Sequence, residues 1–178
     1  RREESAQSVP IAISAFDGNR MREQNIGSAQ DLVGKVPSVT VTSGGGPRNS
    51  EVVVIRGQGQ TYLAPVGVVN YFAEVPLIQG GIIPNQGGPG TFFDLESMQV
   101  LRGPQGTLFG RNTTGGAVLV ETANPTSDWH IRVKGSGEGP VDGGRGAMDM
   151  KMQATVSGPL AQGVAFRLGA YHDSDGGY

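Results

Sequence analysis

The residues best equipped for chemistry in this sequence are two histidines, His130 and His172, several scattered arginines, and glycine-rich stretches of the kind that can cradle a phosphate. Gly110 and Gly115 have the spacing of a phosphate-binding loop, but Gly116 stands where such a loop needs its lysine. Gly135, Gly137 and Gly139 miss the dinucleotide fingerprint, because Pro140 takes the place of the third glycine. The histidines fall in separate segments, neither with a carboxylate at the spacing of a helical metal site, and read as polar-face or turn residues. Asp173-Ser174-Asp175-Gly176 opens like a calcium loop and lacks the later ligands and the closing glutamate. Asn112-Thr113-Thr114 fits a glycosylation sequon, which is common by chance. No serine occupies a G-x-S-x-G elbow, and Cys 0 removes thiol chemistry and cysteine zinc sites. The expectation is a protein that is not an enzyme, with no metal and no cofactor of its own.

Composition narrows the choice further. The chain has 178 residues, room for one ordinary domain and a fragment of another. Gly 30 and Pro 11 predict a loop-rich fold just short of the composition of disordered chains. Charged residues are 17%, low for a soluble domain, while hydrophobic residues are an ordinary 37%. A net charge of -2 leaves no basic field for nucleic acid, so no nucleic-acid partner is expected. The longest apolar runs are 52–55 and 117–120, far short of the roughly 18 residues of a membrane helix, so any membrane role must use strands. Arg1-Arg2-Glu3-Glu4-Ser5 has no apolar leader; either the chain is not exported or its beginning has been removed.

The elements that must position any binding residue follow from local pattern. Residues 9–16 (VPIAISAF) read as a short strand, with Pro10 near its start. Two helices are predicted next, over 17–24 with Asp17 as N-cap, and over 28–36, where Ser28 and Asp31 have capping-box spacing. Pro37 stops the second, and residues 39–42 resume at the period of a half-buried strand. Residues 51–56 (EVVVIR) and 66–72 (VGVVNYF) are β-branched runs of the type buried on both faces. Residues 43–50 and 79–90 are Gly/Pro loops. Asp94 should cap one helical turn, followed by a strand at 98–101, a tight glycine-rich stretch over 103–116 and a strand over 117–122. Helices with interleaved strands imply a mixed α/β layer.

A change of character begins near Asn124-Pro125. Met148, Met150, Met152, Ala154 and Val156 alternate with Asp149, Lys151, Gln153, Thr155 and Ser157, and after a polar turn at 158–163 Val164, Phe166, Leu168 and Ala170 alternate with Ala165, Arg167, Gly169 and Tyr171. Ile131 and Val133 alternate with His130, Arg132 and Lys134 in an earlier strand. Each long strand has about the 9 to 11 residues that cross a bilayer at a tilt, and Trp129 and Tyr171 lie near strand ends, where an interfacial girdle would put them. On periodicity alone, a two-stranded hairpin of a soluble sandwich is the first reading.

Residues 98–125 (MQVLRGPQGTLFGRNTTGGAVLVETANP) closely resemble the end of the plug domain of TonB-dependent outer-membrane receptors. VPIAISAF, DLVGKVPSVTV, VVIRGQG and GVVNYFAEVPL resemble the other plug motifs in their usual order, except that Val68-Val69-Asn70-Tyr71 departs from a pattern in which an Asp-Gly turn more often ends the strand. The resemblance implies a linker over 1–8, a plug over 9–125, and the first strands of a barrel over 126–178. The fold class is then an α/β plug, a mixed sheet with short helices, followed by antiparallel transmembrane strands of an incomplete 22-stranded β-barrel. It also implies a bacterial outer-membrane location and energy-coupled uptake of a scarce solute. A ferric siderophore is the first expectation, with cobalamin, a sugar or an aromatic compound as rivals.

The implied partners are TonB, through a TonB box that this sequence does not contain, outer-membrane lipid, a small-molecule or metal-chelate substrate, and the remaining barrel of the same polypeptide. The chain is therefore expected to be a piece of a longer one. In an enclosed lumen an unpaired guanidinium costs several kcal/mol, so Arg56, Arg102 and Arg111 are expected to dock the plug on carboxylates or carbonyls of the barrel wall. The resemblance turns the loops 43–50, 57–65 and 79–93 toward the outside and makes Arg48, Asn49, Gln58, Gln60, Tyr62 and Gln86 the candidate ligand-binding residues. The competing reading is a free-standing soluble module that borrows the plug fold to bind without transport.

Overall fold

The computed structural model describes residues 11–43, 51–60, 65–77, 93–139 and 148–174. The chain divides into two compact units, Arg1–Ala123 and Asn124–Tyr178.

In the first unit, β1 (Ala12–Asp17), β6 (Leu95–Arg102), β7 (Gly116–Thr122), β4 (Val68–Phe72) and β5 (Val75–Pro76) form a sheet in that spatial order. β1, β6 and β7 pair antiparallel, and β4 lies parallel to β7. β2 (Val39–Ser43) and β3 (Glu51–Ile55) make a separate antiparallel pair. In β3 the adjacent residues Val52 and Val53, which point to opposite faces, are both buried, as the unbroken apolar run requires. One apolar cluster joins both sheets and the helical segment: Phe16, Met21, Leu32, Val53, Ile55 and Met98 are among its members.

Helix α1 (Gly18–Glu23) starts where expected, with Asp17 Oδ1 accepting from the Arg20 N–H at 2.7 Å. The helix expected over 28–36 is instead one 3-10 turn, Gln30–Leu32. Its cap still forms: Asp31 Oδ2 accepts from the Gly27 and Ser28 N–H groups at 2.9 Å each and from Ser28 Oγ at 3.0 Å. Gly34, at φ +80°, and Pro37 stop elongation. Asp94 caps no helical turn; it sits at φ +52° and launches β6, which begins at Leu95 rather than Met98. The stretch 103–116 holds a single turn of helix, α2 (Gly106–Phe109).

Beside that capped turn, burial and the negative charge of Asp31 push the Glu51 carboxyl above its ordinary pKa.

In the second unit, β8 (His130–Glu138), β9 (Asp149–Ala161) and β10 (Val164–Ser174) form an antiparallel sheet in the order β10, β9, β8. The turn is shorter than the polar run 158–163: β9 continues through Pro159 to Ala161, and Gln162 with Gly163, at φ +78°, closes it. Pro159 is tolerated because the register slips between Val164 and Ala165, the latter being its partner. Register puts His172 across from Met152, on the apolar face, so the polar-face or turn role expected for it does not hold. His130 faces Ser157 and does lie on the polar side.

Candidate functional site

Among the described residues, the glycine-bearing segments 55–59 and 103–116, with Gly67, form a stack of tight turns. Ile55 and Gln58 exchange both backbone hydrogen bonds at 2.9 Å around Arg56 and Gly57, whose φ values of +52° and +76° are those of a hairpin turn of type I′. The Gly103 N–H donates to Gly115 O, and the Gly115 N–H donates to Gly67 O, each at 2.8 Å. Gln105 N–H donates to Thr113 O at 2.9 Å, and Thr113 Oγ1 donates to Gly110 O at 2.8 Å. Two glycines here have no substitute. A Cβ at Gly115 would stand 2.5 Å from Gln58 Cβ, and one at Gly116 would stand 2.1 Å from Leu101 O.

The stack determines where the expected docking arginines go. Arg56, exposed and held in a left-handed conformation by its turn, brings Nη1 to 3.2 Å from the place a Cβ on Gly103 would occupy. It therefore meets Gly103, the residue that follows Arg102 and lies 47 positions on in the chain. Arg102 is half-buried, and its Nε is buried with no hydrogen-bond acceptor among the described residues. Arg111 is exposed in the turn between α2 and β7.

Of the residues expected to meet a ligand, Arg48, Asn49, Tyr62 and Gln86 lie outside the described residues. Gln58 is exposed, with its backbone pinned between Gly115 and the Ile55 turn. Gln60 is only 6% exposed and is not the open loop residue its polarity suggests. The preceding Gly59 packs tightly as well, since a Cβ there would meet Val54 Cγ2 at 2.5 Å. Tyr71 was not singled out by sequence, yet its hydroxyl donates to Phe109 O at 2.9 Å and its ring packs on Phe109 at 5.3 Å, tying β4 to α2. A tyrosine hydroxyl in a strand flanked by buried valines was the available signal, because a buried Tyr O–H needs a partner.

The sheet of the second unit carries its polarity inverted from that of a soluble domain. Ile131, Val133, Met150, Met152 and Leu168 share one face and are all exposed, Ile131 at 77% and Val133 at 71%. On the opposite face Thr155 is buried, and Ser157, at 0% exposure, accepts from Thr126 N–H at 2.9 Å while its Oγ donates to Phe166 O at 3.0 Å. Trp129 lies edge-on to Phe166 with ring centroids 5.6 Å apart and covers Gly158, where a Cβ would come within 2.8 Å of Trp129 Cδ2. Tyr171 donates its hydroxyl to Asp173 Oδ2 at 3.0 Å on the polar face.

Residues 5–117 match the model of the TonB-dependent receptor plug domain. The chain belongs to that family. Among its relatives, the hemin receptor of Yersinia pestis is 29% identical over 126 residues, covering 68% of this chain and 17% of the receptor. An iron-regulated outer membrane virulence protein of Vibrio cholerae serotype O1 is 26% identical over 176 residues, covering 91% of this chain and 24% of that protein. The crystal structure of the ferric yersiniabactin uptake receptor from Yersinia pestis superposes with a TM-score of 0.68 at 21% identity, over 93% of this chain and 24% of that one. A siderophore receptor from Acinetobacter baumannii gives 0.69 at 24% identity over 90% of this chain and 24% of that one. This plug-bearing chain thus spans a quarter or less of the length of these relatives. Its fold, a mixed plug sheet followed by antiparallel strands, is that of the barrel receptors.

Proposed function

We propose that this chain is the plug and opening barrel strands of an outer-membrane transporter that takes up an iron chelate with energy relayed through TonB. The observation that carries this reading is the exposed apolar face of β8, β9 and β10 following a plug of known family. An apolar band opposite a face of charged and hydroxyl residues suits strands with lipid on one side and a polar lumen on the other. A soluble module would have to leave that band in water, which argues against the free-standing alternative. Residues 1–8 are assigned to the linker after a TonB box, 9–125 to the plug and 126–178 to the first strands of a 22-stranded barrel. The relatives are named as receptors and transporters, and no reaction chemistry is assigned to this chain.

Docking of the plug is assigned to Arg56, Arg102 and Arg111. The buried Nε of Arg102 supports this, because an orphaned guanidinium N–H costs about 1–3 kcal/mol and an acceptor on the barrel wall would relieve it. Ligand contact is assigned to Arg48, Asn49, Gln58, Tyr62 and Gln86, and the buried Gln60 is assigned a supporting role. Arg48 suits a chelate carrying negative charge.

Uptake of iron-55 by cells carrying the native gene tests the reading. Uptake should require TonB and disappear when the gene is deleted. Transport that persists without TonB, or recovery of the gene product as a soluble monomer free of membrane, would overturn it. Arg102→Ala should loosen the plug while leaving the choice of chelate unchanged.

A further inference from the structure

β1 stands at the edge of the plug sheet: among the described residues it pairs with β6 alone. A groove of about 780 Å³ runs along it, lined by Ile13, Ser14, Ala15 and Phe16 together with Arg20, Gln24 and Lys35. Four consecutive strand residues line it. Since side chains alternate between faces, the groove follows the edge of the strand and not one face of the sheet.

We infer that this edge accepts an extended acidic peptide segment as an added strand. An unpaired edge offers a row of N–H and C=O groups, and proteins that must prevent pairing place charged side chains, lysine above all, or proline on the strand itself. Ala12–Asp17 carries no lysine and no proline, and its one charge, Asp17, stands at its end, where Oδ1 accepts from the Arg20 N–H as the cap of α1. Its two neighbouring cations stand beside the edge instead, on other elements. Arg20 comes from α1 and lies over the Phe16 ring at 5.6 Å from its centroid. Lys35 follows the 3-10 turn and donates from Nζ to Asp31 O at 3.0 Å. Both are exposed and held in place without a carboxylate partner in the groove lining. Backbone pairing along the four edge residues, roughly 13 Å, would supply the main contact, and the two cations would select carboxylates on the added strand. The inference is independent of the cargo, and it requires the barrel of the proposed transporter to leave this edge uncovered.

The test uses the full chain in detergent and a blocked octapeptide, TVEVEVTS, followed by calorimetry and by amide exchange at residues 12–17. Saturable binding with slowed exchange in β1 is expected. The double variant R20E/K35E should weaken binding at least tenfold, and so should replacing both glutamates of the peptide by glutamine. The same peptide N-methylated at alternate residues along the pairing edge should not bind. Both substituted residues are exposed, and an unchanged circular dichroism spectrum will show the variant folded. Absence of saturable binding up to about 1 mM, or equal binding of the methylated peptide, overturns strand addition. Self-association of the chain that R20E/K35E abolishes would give the edge to a second copy and overturn it as well.

Discussion

The guanidinium of Arg56 rests against Gly103, with Nη1 3.2 Å from where a Cβ would sit, and Gly103 holds a φ of +112° that side chains rarely adopt. Gly103→Ala should therefore cost about 1–3 kcal/mol and displace Arg56 as well. If the two positions act together, the double variant Gly103→Ala/Arg56→Ala will be less destabilised than the sum of the singles by about 0.5 kcal/mol or more in urea unfolding. Additive losses would show that the contact carries no energy. Gly106→Ala, whose Cβ meets nothing within 4 Å, is the control and should change little.

The hairpin between β4 and β5 turns through Ala73 and Glu74, at φ +47° and +68°. This geometry favours Asn-Gly or Asp-Gly, and neither native residue suits it. Replacing the pair by Asn-Gly should stabilise the first unit by about 1 kcal/mol without touching any buried side chain. An unchanged denaturation midpoint would mean that the strain is absorbed elsewhere.

Glu51 holds its proton to a higher pH in the folded chain than in the unfolded one, first because it is partly buried and second because Asp31 repels its charge. The folded state therefore binds more protons, so the penalty is absent below the ordinary glutamate range and grows as pH rises through the raised value. Glu51→Gln should raise the thermal midpoint by about 1–2 °C at pH near 7.5. The gain should vanish at pH near 3.5, where the native carboxyl is neutral in both states. A gain of equal size at both values would assign the effect to packing.

Val133 lies on the exposed apolar face and its neighbour Arg132 on the other. Val133→Arg should cost about 2–4 kcal/mol if that face meets lipid, read as a loss of folded receptor in lipid vesicles. Arg132→Gln should leave the folded fraction nearly unchanged. Should Val133→Arg instead fold equally well and improve solubility in water, the face is not a lipid face.

Much of this protein is written in short-range pattern. The Asp17 cap, the buried run 52–55 and the alternation from 148 to 170 each depend on residues within a few positions of one another, where backbone period and capping geometry act directly. The absence of any cysteine and of local catalytic spacing was equally visible. What the tertiary structure decided lies between residues far apart in the chain. Arg56 reaches Gly103, Gly115 closes on Gln58, Tyr71 bonds to Phe109 O, Gln60 is drawn inside, and a promising helix over 28–36 shrinks to Gln30–Leu32. Such contacts form only when the packing of several strands repays the entropy of closing long loops. Local propensity carries no record of that balance.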